Sequence, residues 1–556
     1  MQHFHLFAVM KTNFLLTLIL CALISNLSFA QNKITNEVSS AIKVASADQI
    51  KADIAYLADD KLMGRKPGTP GYKMAVDYVI EQLKKNGVKP AGDNGTWLQS
   101  IVMRNATLAS NYTASLYTNS NTIDLASDRG ITLTPNPTAN TTSLDAEVVF
   151  AGYGITALEK NYDDYKGLNV KGKVVLIVRG APASFSSSES AASMNVATIQ
   201  KNALNHGAIG VITATIADRP ANAPAGAGVA RPIVALMSQK GELIVCSSFT
   251  SEKLKLAGTL NFKNTNAIFT DANKTLITVI EGLKKGETQS FSTNLKIKAT
   301  YQTTHSDFTT WNVAGKIEGS DSKLKNEFVV HSAHLDHMGI GRPVEGDSIY
   351  NGAHDNASGI ASLLQITKIY NELKLKPKRS ILVLAVTGEE MGLLGSGYFA
   401  AKPTIPVDKI VANVNTDMPG IIAPLLSITA LGADHSTLIN PVNEAAAYFD
   451  LTVEPDPEPN ENRFVRSDQY SFIKEGIPAL HVKYGNKTAD GKNNLDVFVK
   501  EWRAKYYHKP QDDINGIFDF EAGKKYAQLN FLIGYLVAND PIKPSWNPGD
   551  IFEKKK

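Results

Sequence analysis

The chain has 556 residues, 43% of them hydrophobic and 20% charged, with a formal net charge of +3. That length asks for two or three domains of ordinary globular composition. So small a charge, with no basic cluster interleaved with aromatics, speaks against nucleic acid or an anionic membrane surface as a partner.

In chain order, Lys11 precedes an apolar run from Phe14 to Ile24, and Ser28-Phe29-Ala30 supplies a small-x-small cleavage pattern. Residues 1–30 read as a secretory signal peptide, which makes the protein exported, periplasmic or extracellular. The run is shorter than the roughly 18 residues a bilayer span needs, and no later run reaches that length. No membrane span is expected in the mature chain. Of the two cysteines, Cys21 leaves with the leader and Cys246 reads as a buried apolar residue, so no internal disulfide is expected.

Residues 31–145 read as the N-terminal part of a catalytic domain. Ser46 to Leu57 and Gly71 to Lys85 carry apolar residues at helical spacing, with Ser46 as an N-cap. A Gly/Pro-rich loop, Leu62 to Gly71, lies between them. From about 101 the chain turns to short alternating runs. Residues 146–300 read as an inserted β-rich α+β module with strands at Glu147–Phe150 and Lys173–Arg179, a helix at 195–206 and a mobile Ala/Pro/Gly-rich loop at 217–232. No titratable cluster stands out there, so it reads as a lid or recognition module.

Residues 301–540 form the main part of the catalytic domain, and 541–556 a tail. Phe328–Val330 and Ile381–Val386 are continuous apolar runs, and Ile410–Val414 and Ala479–Val482 are mostly apolar strands. Ile360–Tyr370, Leu394–Ala400 and 436–448 read as helices. Such alternation predicts an α/β fold with a mixed, mostly parallel central sheet flanked by helices.

Ligands of such sheets bind at the carboxyl ends of the strands. Beyond those ends lie His334-Leu335-Asp336-His337, then Asp355 entering a helix, Glu389-Glu390, and Asn415-Thr416-Asp417. Tyr507-His508 comes late. Zinc takes imidazole nitrogen and carboxylate oxygen, and a pair of zincs needs a bridging carboxylate with terminal ligands. His334, Asp355, Glu390, Asp417 and His508 suffice for two Zn2+ ions. Glu389 is left as a free carboxylate beside a metal-bound water, the position of a general base. Asp336 is placed to orient the His334 ring. His331 and His481 read as packing residues, His337 as a loop residue, and His354 as a non-ligand. Asp512 and Asp513 read as a cap or turn pair, or as support for His508.

This pattern resembles the co-catalytic di-zinc exopeptidases of the bacterial leucyl aminopeptidase, aminopeptidase Y and glutamate carboxypeptidase II type. It matches His-x-Asp, Asp-Asn-x-x-Gly at Asp355–Gly359, Glu-Glu, Asn-x-Asp and a late His. Met63-Gly64-Arg65 resembles the family's N-terminal loop, and the 146–300 module its inserted protease-associated domain. The resemblance implies that His334 and Asp417 serve one zinc, Glu390 and His508 the other, and that Asp355 bridges. It implies oxyanion stabilisation by Tyr507, or else by Tyr506 or Tyr484, and substrate contacts at Arg466 and Asp468. Peptides are the implied substrates, with cleavage of the N-terminal peptide bond favoured. A glutamate-releasing carboxypeptidase, using Arg463 or Arg466 to hold a terminal carboxylate, and a non-catalytic binding protein are the alternatives.

Overall fold

The computed structural model describes residues 34–217, 230–461 and 463–553. The leader read at 1–30 with Cys21, the stretch 218–229 of the predicted mobile loop, and Lys554-Lys555-Lys556 lie outside the described residues. No helix among the described residues is long and apolar enough to cross a membrane.

Helix α1 (Ala47–Leu57) begins where the Ser46 side chain accepts a hydrogen bond from the Gln49 amide, and α2 (Pro70–Lys85) where Thr69 accepts one from Tyr72. These acceptors satisfy amides that a first helical turn leaves free, and Pro70 has no amide hydrogen to strand there. Strands β1 (Leu98–Leu108), β2 (Thr113–Tyr117), β3 (Thr141–Phe150), β4 (Val174–Val178), β5 (Gly210–Ala214), β6 (Ile233–Met237), β7 (Leu256–Leu260) and β8 (Phe291–Ile317) come next. Then strands and helices alternate through β9 (Phe328–His334), α3 (Ser358–Glu372), β10 (Ser380–Val386), α4 (Leu394–Ala401), β11 (Ile410–Asn415) and β12 (Ser427–Leu431). Helices α5 (Ile439–Tyr448) and α6 (Gln469–Lys474), strand β13 (Ala479–Tyr484), and helices α7 (Leu495–Tyr506) and α8 (Phe520–Asn539) complete the chain.

The first sheet runs β6–β1–β8–β10–β9–β11–β13–β12. Its four central strands β10, β9, β11 and β13 are parallel, and the outer pairings are antiparallel. Every residue of β10, β11 and β13 is buried, which is why β10 reads as a continuous apolar run from Ile381 and the other two as mostly apolar. Along β10, Ile381, Val383 and Ala385 join the cluster formed with α1, α2, α3 and α8. Leu382, Leu384 and Val386 point the other way, to Phe399 of α4 and Phe472 of α6. The result is a mixed α/β fold, its sheet covered on both faces.

A second sheet runs β2–β8–β3–β4–β5–β7 around its own apolar core. Strand β8 serves both sheets. Its first half pairs with β2 and β3, and its second half with β1 and β10, with Thr303 directly opposite Leu108. The boundary expected at 145/146 falls inside β3, and β2 already pairs with β8 in the second sheet. Strand β6, from the same stretch of chain, pairs back onto β1 of the first sheet.

Candidate metal centre

The carboxyl ends of the parallel strands meet at one point. His334 closes β9, Glu389 and Glu390 come after β10, and Asp417 after β11. Asp355 sits in the distorted turn Ala353–Ala357 that feeds α3, and His508 lies just past α7 with a positive φ of 55°. Residues 334 to 508 are scattered in sequence, yet their donor atoms fall into two adjoining groups.

In the first group, His334 Nε2 lies 3.2 Å from Asp355 Oδ1 and 3.4 Å from Asp417 Oδ1. In the second, His508 Nε2 lies 3.1 Å from Asp355 Oδ2 and 3.2 Å from Glu390 Oε2. Asp355 therefore turns one oxygen to each group. Separations of 3.1–3.4 Å are those of ligand atoms about 2 Å from a shared ion at tetrahedral angles. His337, expected as a loop residue, is fully buried with Nδ1 2.7 Å from Glu390 Oε1, and it joins Asp355 and Glu390 in a set able to hold a metal ion. His354 is turned away, stacked on Phe518 at 3.9 Å with Nε2 on the Ile517 carbonyl. His331 meets the Tyr370 hydroxyl, and His481 the Asp417 carbonyl.

The supports are side chains that grip backbone. The Asp336 carboxylate accepts the amides of Glu389 at 3.2 Å and Glu390 at 3.3 Å. Its Oδ1 also lies 3.9 Å from His334 Nδ1, and the same ring nitrogen meets the Asp336 main-chain oxygen at 3.2 Å. Asp512 accepts the amides of His354 and Asp355, fixing the turn that carries Asp355. Arg65 donates to the carbonyls of Leu57, Leu335, Asn351 and Gly352, tying the N-terminal helices to the loops behind His334 and ahead of Asp355. Its loop holds Met63, Gly64 and Arg65 all at positive φ, and a Cβ on Gly64 would come within 2.4 Å of the Tyr350 carbonyl oxygen. Burial lowers the Arg65 guanidinium to about 10, against the pull of Asp336 and Asp355. Arg65→Met strands four carbonyls, so a loss of about 3–5 kcal/mol is expected. Urea titration with no change in midpoint would refute it.

The charges call for cations. Burial alone would lower the His334 pKa, yet Glu389, Asp355 and Asp417 raise it well above the ordinary histidine value. The carboxylates of Asp355 and Glu390 likewise overcome burial to lift His508 to about 10. Burial raises Glu389 well above the ordinary carboxylate range, and Glu390, Asp417 and Asp468 add to the rise against His334. Among the buried side-chain atoms without a hydrogen bond are the ring nitrogens His334 Nε2 and His337 Nε2. Buried charges and orphaned donors of this kind are costly unless an ion satisfies them, and the imidazole and carboxylate set is the one zinc prefers.

A cavity of about 460 Å³ opens over the cluster. Glu389, Glu390, Tyr507 and His508 line one wall. Asn195, Ala197 and the segment from Ile244 to Ser247, with Cys246 buried as expected, line the other. Of the two predicted substrate contacts, exposed Arg466 lines this cavity. Asp468 is buried beneath it and its carboxyl is pushed up to about 7 by burial. Tyr507 lies flat on His508, ring centroids 3.8 Å apart, and a second recess brings it together with Asp355, Glu389 and Asp417. Tyr506 stacks on Trp502 instead.

Residues 312–529 match the family described as Peptidase family M28, a span that contains all five predicted ligand positions. The chain is 30% identical over 203 residues to the vacuolar membrane protease of Lodderomyces elongisporus, covering 36% of this chain and 18% of that protein. It is 25% identical over 254 residues to leupeptin-inactivating enzyme 1 of Streptomyces exfoliatus, covering 45% and 53%. The chain thus spans about half, or less, of the length of these curated relatives. Among solved structures, an aminopeptidase from Aneurinibacillus sp. strain AM-1 aligns over 92% of this chain and 98% of its own, with a TM-score of 0.48 at 21% identity.

Proposed function

From the match of residues 312–529 to peptidase family M28, we propose that this chain is a two-zinc exopeptidase that releases the N-terminal residue of peptides, with Glu389 as its general base. The observation that carries this reading is Asp355, whose two oxygens face two separate sets of ligand atoms. His334 and Asp417 would hold one ion and Glu390 and His508 the other, with Asp355 shared by both sets. His337 bears on Glu390 and fixes its carboxylate. Zinc held there supplies Lewis acidity, lowering the pKa of a water and polarising the scissile carbonyl.

The chain's own residues do the rest. Glu389, held by its amide on Asp336, takes a proton from the attacking water and returns one to the leaving amine. Tyr507, fixed against His508 and lining the same recess as Glu389, donates its hydroxyl to the developing oxyanion. Asn195 and Ile244–Ser247, from the stretch between β4 and β8, close the far wall and limit the length of substrate that fits.

Product analysis tests this directly. A short unblocked peptide should lose its first residue in the presence of zinc and keep it when a chelator is added. Its N-acetylated twin should remain whole. Loss from the other end, or attack on the blocked twin, would establish the carboxypeptidase alternative instead.

A further inference from the structure

The recess beside the metal-ligand cluster is lined by four cations, and three of them are already engaged. Arg463 is paired with Asp456 and Glu458, and Arg466 lies 3.6 Å from Glu461. Lys483 donates to the main-chain oxygens of Asp417 and Met418. Arg503 has no carboxylate and no side-chain hydrogen-bond partner among the described residues. It is not a loose surface side chain. It projects from the last turn of α7, half-buried, with its Cζ 3.8 Å above the Tyr507 ring, and that ring lies 3.8 Å from His508. A guanidinium, a phenol and an imidazole are thus stacked in series, which holds the plane of the guanidinium while its N–H edges stay free. The same recess contains Asp355, Glu389 and Asp417. Arg presents donors in a rigid fork that matches a carboxylate, and a face laid on an aromatic ring keeps that fork oriented. The other two acids lining the recess, Glu458 and Glu461, already face Arg463 and Arg466.

We propose that Arg503 forms a carboxylate subsite, receiving an acidic group of the substrate on the residue next to the scissile bond. The proposal rests on the peptidase reading above and adds a substrate class to it: dipeptides, whose free C-terminal carboxylate lies at that position, or longer peptides with an Asp or Glu there. The arginines that the sequence suggested for this task, Arg463 and Arg466, are occupied; Arg503 is the one left open.

The test compares three ligands, Leu-Ala, Leu-Ala-amide and Leu-Asp-amide. Binding is measured calorimetrically to zinc-loaded Glu389→Gln protein, with and without Arg503→Ala, after zinc content has been confirmed equal in the two. With Arg503 present, Leu-Ala or Leu-Asp-amide should bind at least about tenfold more tightly than Leu-Ala-amide, the scale of a charge-assisted bidentate contact. The favoured ligand identifies the source of the carboxylate. With Arg503→Ala that preference should vanish while the affinity for Leu-Ala-amide is kept, and Arg503→Lys should restore part of it. Equal affinity for all three ligands in the Arg503 protein, binding of none of them, or an equal loss for all three on substitution would overturn the subsite. Cleavage of the same peptides by the Glu389 protein is scored separately. Preferential binding without cleavage would sink the peptidase reading and leave the subsite standing.

Discussion

Glu389→Gln should lower kcat by roughly 10²–10⁴-fold and leave the zinc content of the protein unchanged. The amide keeps the shape of the side chain and can still lie beside the cluster, but it takes no proton. The charge environment supports the assignment. Without cations, burial and the neighbouring Glu390, Asp417 and Asp468 carboxyls favour the protonated form of Glu389, His334 pulling the other way. Divalent ions bound among the same acids would reverse that balance and favour the carboxylate that a base must be. Rate and metal content are measured together on one preparation. A variant that turns over at the wild-type rate would remove Glu389 from the chemistry, and one that has lost zinc would make it a ligand.

Asp355→Ala should weaken both metals at once, by more than about 100-fold, while Asp417→Ala and His508→Ala should each weaken chiefly one. The reason is the division of its carboxylate, with Oδ1 at 3.2 Å from His334 Nε2 and Oδ2 at 3.1 Å from His508 Nε2. No other side chain faces both groups in this way among the described residues. Zinc per chain, determined by mass spectrometry after dialysis against a graded series of chelator concentrations, separates the three variants. If Asp355→Ala retained one ion as tightly as the parent, the shared-ligand reading would be wrong. Folding is monitored in parallel by circular dichroism, since Asp512 grips the main-chain amide of this residue and not its side chain.

Much of this centre is legible in the sequence because chemistry-bearing residues sit where packing gives them no reason to be. Asp417 and Glu390 come after strands buried along their whole length, and acids at those ends need a partner whether or not the fold is known. The features that escape the sequence depend on orientation. Spacing puts Asp336 beside His334, but the strand end turns its carboxylate to the amides of Glu389 and Glu390 and leaves its carbonyl for the ring. His337 looks like one more loop histidine, and only the close approach of its Nδ1 to Glu390 sets it apart. Arg466 and Asp468 are two positions apart in sequence, yet one is exposed on the cleft and the other is sealed beneath it. Arg503 carries no signal in sequence at all, because being unpaired is a property of what the other cations have already found. Positions 145 and 146 fall within β3 for a related reason: period-two alternation looks the same in strands of either sheet, so β2 and β3 could not be assigned to the second one by pattern alone.

Strand β8 gives the second unit the character of a cassette. Thr303 and Leu108 face each other across an antiparallel pair, a distance that a two-residue Asn-Gly turn spans in ordinary hairpins. Apart from β6, the strands between them belong to the second sheet, and removing the segment cuts none of the four parallel strands. The one debt is β6, which would go with the excised segment and strip the cover from β1. A shortened chain would therefore need charged residues along β1 to keep its new edge from pairing with a second molecule.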